Sequence, residues 1–317
     1  MLDFANKHPE TLVLSADLGT SCEVKKFRAE KPDQYLTMGI AEQNMCSWAA
    51  GLAREGYRPF LHTFSVFLSR RILDQVEMSV AYPNLPVTFV GFVPGITTPG
   101  GVTHQSINDV GIMRTVPNMA IFDVGDATDI EGVLDLVYEW NGPAYIRMLR
   151  KEVPRLFPAN EPMVFNRART ITEGDDVLIL SSSICTEEAM RATAALEDKG
   201  VSVQHMHVST LKPFTDPTIV EALKKCKYGV VTMENHYNIG GLGSAVADLM
   251  AENGIGKKLI KIGLNGYAHG ASKMYLMTKY GIDAMNLVKS VEELIGKDLG
   301  IKEDDLDNQR FVDFLEV

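Results

Sequence analysis

The amino-acid sequence predicts an α/β protein in which a doubly wound parallel-sheet domain is followed by a smaller α/β domain. Short β-branched runs alternate with helix-period patterns along the chain, which is typical of parallel sheets covered by helices. The alternation is interrupted once, by a proline-containing stretch without periodicity, which indicates a linker. With 317 residues, of which 45% are hydrophobic, the chain is long enough for two cores.

The first domain is predicted over residues 1–155. Its strands are short runs rich in β-branched and aromatic residues, at 11–17, 58–64, 86–92, 119–124 and 143–148. A helix pattern near Glu42 has apolar residues at the i, i+3, i+4 spacing of a buried stripe, namely Met45, Trp48, Ala49, Leu52 and Ala53.

A linker is predicted at 156–170 and the second domain at 171–317. Strands are predicted at 176–183, 201–209 and 228–235, with helices at 186–198 and 216–226 between them. The segment "YNIGGLGSAVADLM" resembles a phosphate loop but lacks the full G-x-G-x-x-G pattern. It is therefore interpreted as close helix-to-sheet packing.

Charge and composition exclude several classes of function. The formal net charge of −10 argues against a general nucleic-acid or anionic-membrane surface, since such binding depends on Lys and Arg. Cys22, Cys46, Cys185 and Cys226 have no metal-ligand spacing, which favours a reducing cytoplasm. The sequence has neither a signal-peptide pattern nor a long apolar run, so secretion and membrane spanning are not expected.

Candidate functional residues follow the predicted strands of the first domain. In open parallel sheets, ligands bind beyond the carboxyl ends of the strands. Asp17 ends the first strand, Phe64 the second, and a glycine-rich loop with His104 follows the third. Arg147 and Arg150 lie at the last strand of this domain. The sequence leaves two roles open for them, a salt bridge with surface acids or the binding of an anion.

Several ordered segments together resemble the C-terminal half of transketolase. They are "SADLGTS", "MGIAEQNM", "HTFSVFLSR", "GGVTHQS", "RTVPNM", "YIRMLRK" and "ENHYNIGGLGSAVAD". The length and starting point are similar to a free-standing C-terminal subunit of a split transketolase. Deoxyxylulose-phosphate synthase and the β-subunit of 2-oxo-acid dehydrogenases, which share the pyrimidine-binding domain, are more distantly similar.

The resemblance implies a catalytic role for Glu42, which would otherwise be explained as an acid favoured by the helix dipole. In the family, a Glu here bonds the N1′ atom of the aminopyrimidine of thiamine diphosphate and favours its imino tautomer. A carboxyl in an apolar pocket has its neutral form favoured, which suits that role. Phe67, with Phe64 beside it, matches the aromatic on which the ring stacks. Arg70 stands where a third aromatic is usual.

Other site residues are likewise implied by the resemblance. Asp17 is expected near the cofactor, although the residue type also suits a turn cap. Ser21 and Arg150 match residues that bind the substrate phosphate. His104 matches a histidine that contacts the donor's carbonyl or hydroxyl oxygens, and imidazole is suited to moving protons there. Gln105 is a neighbour of that histidine.

The resemblance also implies that the chain is half of an active site. The diphosphate and Mg²⁺ require a G-D-G motif followed by Asn, and the chain has no G-D-G. We therefore expect an N-terminal, diphosphate-binding partner subunit to supply these ligands. The expected assembly is an α2β2 heterotetramer acting on a sugar phosphate.

Two departures from the family pattern concern the substrate. Gly100 replaces an Asp that recognises the acceptor's 2-hydroxyl, and Phe92 replaces a His that binds sugar oxygens. The resemblance implies transfer of a two-carbon ketol unit from a ketose to an aldose through thiamine diphosphate. The two departures predict a donor or acceptor outside the usual pentose phosphates, such as apulose 4-phosphate or a sulfo-sugar. A deoxyxylulose-phosphate synthase-like or 2-oxo-acid dehydrogenase-like subunit is the alternative enzyme. A non-catalytic binding or regulatory subunit is the alternative of another class.

Overall fold

The structure is a computed structural model that describes residues 1–307. The strands of this part are β1 Thr11–Ser15, β2 Tyr35–Thr37, β3 Arg58–Phe64, β4 Thr88–Phe92, β5 Ala120–Asp123, β6 Ala144–Met148, β7 Arg169–Thr172, β8 Val177–Ser181, β9 Val203–His207, β10 Thr210–Lys212, β11 Gly229–Tyr237 and β12 Leu259–Leu264. The α-helices are α1 Leu2–Lys7, α2 Lys25–Glu30, α3 Glu42–Arg54, α4 Ser65–Ser69, α5 Leu73–Gln75, α6 Asp109–Thr115, α7 Ala127–Trp140, α8 Cys185–Asp198, α9 Pro217–Lys225, α10 Leu242–Glu252, α11 Lys273–Lys279, α12 Ala284–Ile295 and α13 Glu303–Asp307. A 3₁₀-helix at Pro32–Gln34 and a π-helix at Val76–Ala81 complete the set.

The first sheet has seven strands in the order β10-β5-β6-β4-β3-β1-β2. Six of them are parallel, and β10 pairs antiparallel with β5. The predicted parallel sheet is confirmed, and its central strands β1, β4 and β6 are buried at every position. Burial on both faces explains why these strands are continuous hydrophobic runs. The short edge strands β2 and β10 were not predicted.

The second sheet has five strands in the order β12-β11-β8-β9-β7. The predicted strands at 176–183, 201–209 and 228–235 are confirmed as β8, β9 and β11, whereas β7 and β12 were not predicted. β7 starts at Arg169, inside the segment 156–170 that was predicted as a linker. Because β10 follows β9 in the chain but pairs with β5, the C-terminal part contributes a strand to the first sheet.

The helix α3 is present, but its predicted buried stripe is wrong at one position. Trp48 is 55% exposed. The buried positions are Glu42, Met45, Cys46, Ala49, Ala50 and Ala53. These keep the helical period but are rotated toward Cys46 and Ala50, whose small side chains allow α3 to pack closely on β3 and the π-helix. The bulky indole is therefore left on the outer face.

The glycine-rich segment before α10 is confirmed as a packing element. The carboxylate of Glu234 accepts hydrogen bonds from the backbone amides of Leu242 (2.7 Å) and Gly243 (2.8 Å) at the start of this helix. A side chain at Gly241 would collide with that carboxylate. The amides that a phosphate would need are thus already satisfied by the protein.

Arg147 is a structural residue in the described fold and not a surface charge. Its Nε atom donates to Asp109 Oδ2 (2.8 Å), its Nη1 atom to Asp123 Oδ2 (3.0 Å) and its Nη2 atom to the carbonyl oxygen of Asn235 (2.9 Å). All three charged side chains are fully buried. Burial alone would lower the pKa of Arg147, but the two carboxylates outweigh it and raise this pKa. The network ties β6 to α6, β5 and β11.

Among residues 1–307, no helix combines the length and apolar character needed to cross a bilayer.

Candidate active site

The predicted site residues lie at the carboxyl ends of adjacent strands β1, β3, β4 and β6. Asp17 follows β1 and adopts a left-handed backbone conformation with φ of +57°. Phe64 is the last residue of β3, Phe92 the last of β4, and Arg150 comes two residues after β6. The topology therefore brings residues distant in sequence to one edge of the sheet.

Three aromatic rings form a cluster at the end of β3. Phe64 and Phe67 are stacked with ring centroids 5.8 Å apart. The imidazole of His104 approaches both edge-on, at 6.0 Å from Phe64 and 5.9 Å from Phe67. These separations are those of favourable aromatic pairs. The sequence-predicted stacking residues and the predicted catalytic histidine are thus brought together.

Glu42 is the first residue of α3 and its side chain is only 3% exposed. Its Oε1 atom accepts a hydrogen bond from Nη1 of Arg71 at 2.8 Å. The guanidinium of Arg71 also lies over the ring of Phe67, 4.1 Å from its centroid. Glu42 is therefore buried as expected, but its pocket is not purely apolar, because an arginine pairs with the carboxylate.

The loop from Gly95 to Ser106 holds His104 against Gly100. A β-carbon added at Gly100 would lie 2.9 Å from Cβ and 3.0 Å from Cγ of His104, so a larger residue requires the histidine to shift. His104 Nδ1 lies 2.8 Å from Thr103 Oγ1. Gln105 is a structural residue of this loop, since its Nε2 atom donates to the carbonyl oxygens of Thr98 and His269 (both 3.2 Å).

Phe92 is 5% exposed and packs against His62, with ring centroids 5.7 Å apart. Both residues line a cavity of about 480 Å³ that is also bounded by Met148. Burial lowers the pKa of His62 to about 3, so its imidazole is neutral. Next to Phe92, Val93 has φ of +51°, a strained conformation for a β-branched residue, at the exit from β4.

Asp17 and Ser21 line a small cavity of about 150 Å³. Lys25 and Arg28 line the same cavity, so the cavity combines one carboxylate with two cations. Ser21 is half-buried and Asp17 is exposed. The predicted phosphate-binding serine therefore lies beside positive charges of this chain.

Arg150 is half-buried and lines a different cavity, of about 690 Å³, between the two parts of the chain. Lys151 and Lys273 line it with Glu187 and Glu188, so both signs of charge are present. Burial raises the pKa of Cys22 to about 12, and the charge of Arg150 partly offsets this effect. The two residues predicted to bind the substrate phosphate, Ser21 and Arg150, therefore line separate cavities.

Sequence reasoning missed three charged residues of this region. Arg71 follows Phe67 by four residues, a spacing that places side chains on one helical face and could have indicated the contact. Lys25 and Arg28 follow Ser21 within one and two helical turns, which could have indicated an anion site. The stacking of Arg71 on Phe67 depends on where the chain turns after α4, and local spacing does not give that turn.

The residues present fit the aminopyrimidine end of thiamine diphosphate. Glu42 and Phe67 already hold a flat hydrogen-bond donor, the guanidinium of Arg71, between a carboxylate and a ring face. In contrast, residues 1–307 contain no group of three or more His, Cys, Asp or Glu side chains arranged to bind a metal ion.

Family profiles cover most of the sequence. The profile "Transketolase, pyrimidine binding domain" matches residues 1–155, and "Transketolase, C-terminal domain" matches residues 166–286. The chain is also similar to a solved structure described as "Split gene transketolase, inactive beta4 tetramer", with a TM-score of 0.86 and 34% identity over 93% of this chain and 95% of that chain.

Three curated relatives show the range of the similarity. A 6-deoxy-6-sulfo-D-fructose transketolase subunit of Clostridium sp. (strain MSTE9) is 37% identical over 93% of this chain and 91% of its own length. An apulose-4-phosphate transketolase subunit of Phocaeicola vulgatus is 29% identical over 94% of this chain and 95% of its own length. A 1-deoxy-D-xylulose-5-phosphate synthase of Chlorobium phaeovibrioides is 32% identical over 92% of this chain, but the match spans 46% of that protein. The chain therefore belongs to the transketolase family and carries its pyrimidine-binding and C-terminal domains.

Proposed function

We propose that this chain supplies the pyrimidine-binding half of a thiamine diphosphate-dependent enzyme that transfers a two-carbon ketol unit from a ketose to an aldose. The observation that supports it best is the buried Glu42 carboxylate beside the face of Phe67, in a chain of the transketolase family. When bound, thiamine diphosphate supplies the nucleophilic carbon that accepts the transferred unit.

The residues of this chain have distinct proposed roles. Glu42 holds a proton at the ring nitrogen of the aminopyrimidine, and Phe67, backed by Phe64, supports the ring by stacking. His104, fixed beside these rings, holds or moves a proton at the substrate oxygens. Asp17 lies at the adjacent strand end and orients the bound groups.

We propose that a second polypeptide provides the diphosphate and Mg²⁺ ligands, in an α2β2 heterotetramer. Large apolar side chains are exposed on or next to α3 and the π-helix that packs against it: Ile40 (77%), Trp48 (55%), Met78 (59%) and Tyr82 (81%). Such a cluster is expected to be covered in the working assembly. Unpaired, buried cysteines agree with a reducing compartment such as the cytoplasm.

The division of the site is tested by calorimetric titration of thiamine diphosphate with Mg²⁺. We expect no measurable heat with this chain alone and micromolar or tighter binding with the chain mixed with its diphosphate-binding partner, because the metal ligands come from the partner. Tight binding to the chain alone would contradict the split site. No binding by a demonstrated complex would favour the non-catalytic subunit instead.

The proposed donor is a ketose that carries a terminal phosphate or sulfonate. Gly100 carries no side-chain hydrogen-bond acceptor and is packed against His104, and Phe92 replaces a polar side chain with a buried apolar one. These features support a substrate outside the common pentose phosphates, such as apulose 4-phosphate or a 6-sulfo-ketose, the substrates named for two relatives. Steady-state rates with these donors and with xylulose 5-phosphate test the proposal, and a clear preference for xylulose 5-phosphate would contradict it.

Arg150 is predicted to bind the anionic end of the donor. Replacing Arg150 with leucine should raise KM for the phosphorylated or sulfonated ketose by about 10–100-fold with a smaller change in kcat, because a guanidinium–anion pair contributes about 1.5–3 kcal/mol. The exposed Lys199 at the end of α8 provides the control, since Lys199→Leu removes the same charge away from the cavity that Arg150 lines. Equal effects of the two substitutions, or an equal effect on an uncharged ketose, would contradict a direct contact.

The alternative enzyme is a deoxyxylulose-phosphate synthase-like or 2-oxo-acid dehydrogenase-like subunit. The similarity to deoxyxylulose-phosphate synthases keeps the first of these as a candidate. Both chemistries decarboxylate a 2-oxo acid, so release of CO₂ from pyruvate by the assembled complex would support the alternative. Ketol transfer without CO₂ release is the result that we expect.

A further inference from the structure

The contact between Arg71, Glu42 and Phe67 has the geometry of cofactor recognition. A planar, cationic group donates a hydrogen bond of 2.8 Å to the Glu42 carboxylate and lies 4.1 Å from the centroid of Phe67. An aminopyrimidine bound by the same two residues is also flat, donates to the same carboxylate when protonated, and stacks on the same ring. Two flat groups cannot occupy one ring face together.

We propose that Arg71 is a placeholder for the aminopyrimidine ring, occupying its position in the subunit without cofactor and leaving when the cofactor binds. This inference rests on the proposed function, since it takes Glu42 and Phe67 as the residues that bind the ring. Arg71 is 44% exposed while Glu42 is 3% exposed, so the arginine approaches from the solvent side and can return to it.

The placeholder has a physical purpose. Without a partner, the buried Glu42 carboxylate would lose hydration with no compensating donor, which is unfavourable. Arg71 supplies both a donor and a charge, and it covers the exposed face of Phe67 by a cation–π contact. The same contacts must be broken before the ring can enter, so they lower the apparent affinity for the cofactor.

The first test concerns the subunit without cofactor. Arg71→Ala should lower the melting temperature of the purified chain by about 2 °C relative to Arg70→Ala, because only Arg71 pairs with the buried carboxylate among these two arginines. Arg70 is the matched control: it is adjacent and exposed, and its guanidinium is directed to the carbonyl oxygen of Val102 at 3.5 Å. The difference should become smaller when each substitution is made in a Glu42→Gln background, where the cation–π contact of Arg71 with Phe67 remains. An undiminished difference there would show that the carboxylate of Glu42 is not what Arg71 stabilises, and would overturn the placeholder.

The second test measures equilibrium binding of thiamine diphosphate with Mg²⁺ to the chain assembled with its partner. Arg71→Ala should bind the cofactor roughly threefold to fivefold more tightly than the parent, and Arg71→Lys, which keeps the charge without the planar fork, should lie between them. Weaker or unchanged binding by Arg71→Ala would overturn the placeholder, because it would mean that Arg71 stays beside the bound ring or never competes with it. Absence of binding by the parent complex would instead refute the proposed function, while the melting experiment would still report on the Arg71–Glu42 pair.

Discussion

Replacing Glu42 with glutamine is expected to lower kcat of the assembled enzyme by about 10²–10⁴-fold, the range that a positioned acid–base group contributes. The amide is close to the carboxylate in shape, but it cannot hold and return a proton at the ring nitrogen. The fold should survive, because the substitution removes one ion pair whose arginine is 44% exposed, a loss of less than about 1 kcal/mol after solvent screening. Steady-state rates and the free energy of unfolding are measured on the same preparation.

The substitution Glu42→Asp distinguishes a catalytic role of the carboxylate from a role that only stabilises the N-terminus of α3. Aspartate keeps a negative charge at the start of α3, where the unpaired amides favour it, but withdraws the carboxylate by one methylene. We expect the stability to be retained and the activity to fall by at least about tenfold, as for a misplaced catalytic group. Full activity in Glu42→Asp or in Glu42→Gln would contradict the catalytic assignment and leave only the helix-dipole explanation.

The strands of the sheet centres could be predicted because burial on both faces leaves a continuous hydrophobic run in the sequence. β2 and β10 have three residues each, too few to show a period, and β10 pairs with a strand that precedes it by about 90 residues in the chain. The helix α3 was predicted by its period, but the period alone does not fix which rotation of the helix faces the core. For that reason the sequence wrongly predicts Trp48 as buried. The rotation of α3 is set by its packing against β3 and the π-helix, which leaves Trp48 on the outer face.

The sequence predicted which residues form the candidate site, but it did not predict which of their side chains are in contact. The cluster of Phe64, Phe67 and His104 follows from their positions at strand ends, which the topology brings together. The pairing of Glu42 with Arg71 joins residues 29 positions apart across a turn that no local pattern specifies. The sequence could not exclude that Arg147 lies on the surface. Its acidic partners are 38 and 24 residues away in the chain and are recognisable only in the folded structure.

Arg147 is where we expect the largest loss of stability. Arg147→Met keeps much of the side-chain volume but leaves the carboxylates of Asp109 and Asp123 buried without a counter-charge. Breaking a buried ion pair from one side costs about 3–5 kcal/mol, because the remaining charge is neither hydrated nor paired. The free energy of unfolding from chemical denaturation should fall by that amount, and the hydrogen bond to the carbonyl oxygen of Asn235 on β11 is lost as well.

Arg155→Met is the matched control, because it removes the same group from a surface pair. Arg155 donates to Glu131 at 2.8 Å, but the two side chains are 39% and 62% exposed, so the expected loss is below about 1 kcal/mol. If the cost at Arg147 comes from stranded charge, adding Asp109→Asn and Asp123→Asn to Arg147→Met should recover part of the stability, since neutral amides are less costly to bury. A triple variant less stable than Arg147→Met would show that the carboxylates stabilise the fold through their other partners, of which Tyr145, donating to Asp109 at 2.7 Å, is the nearest.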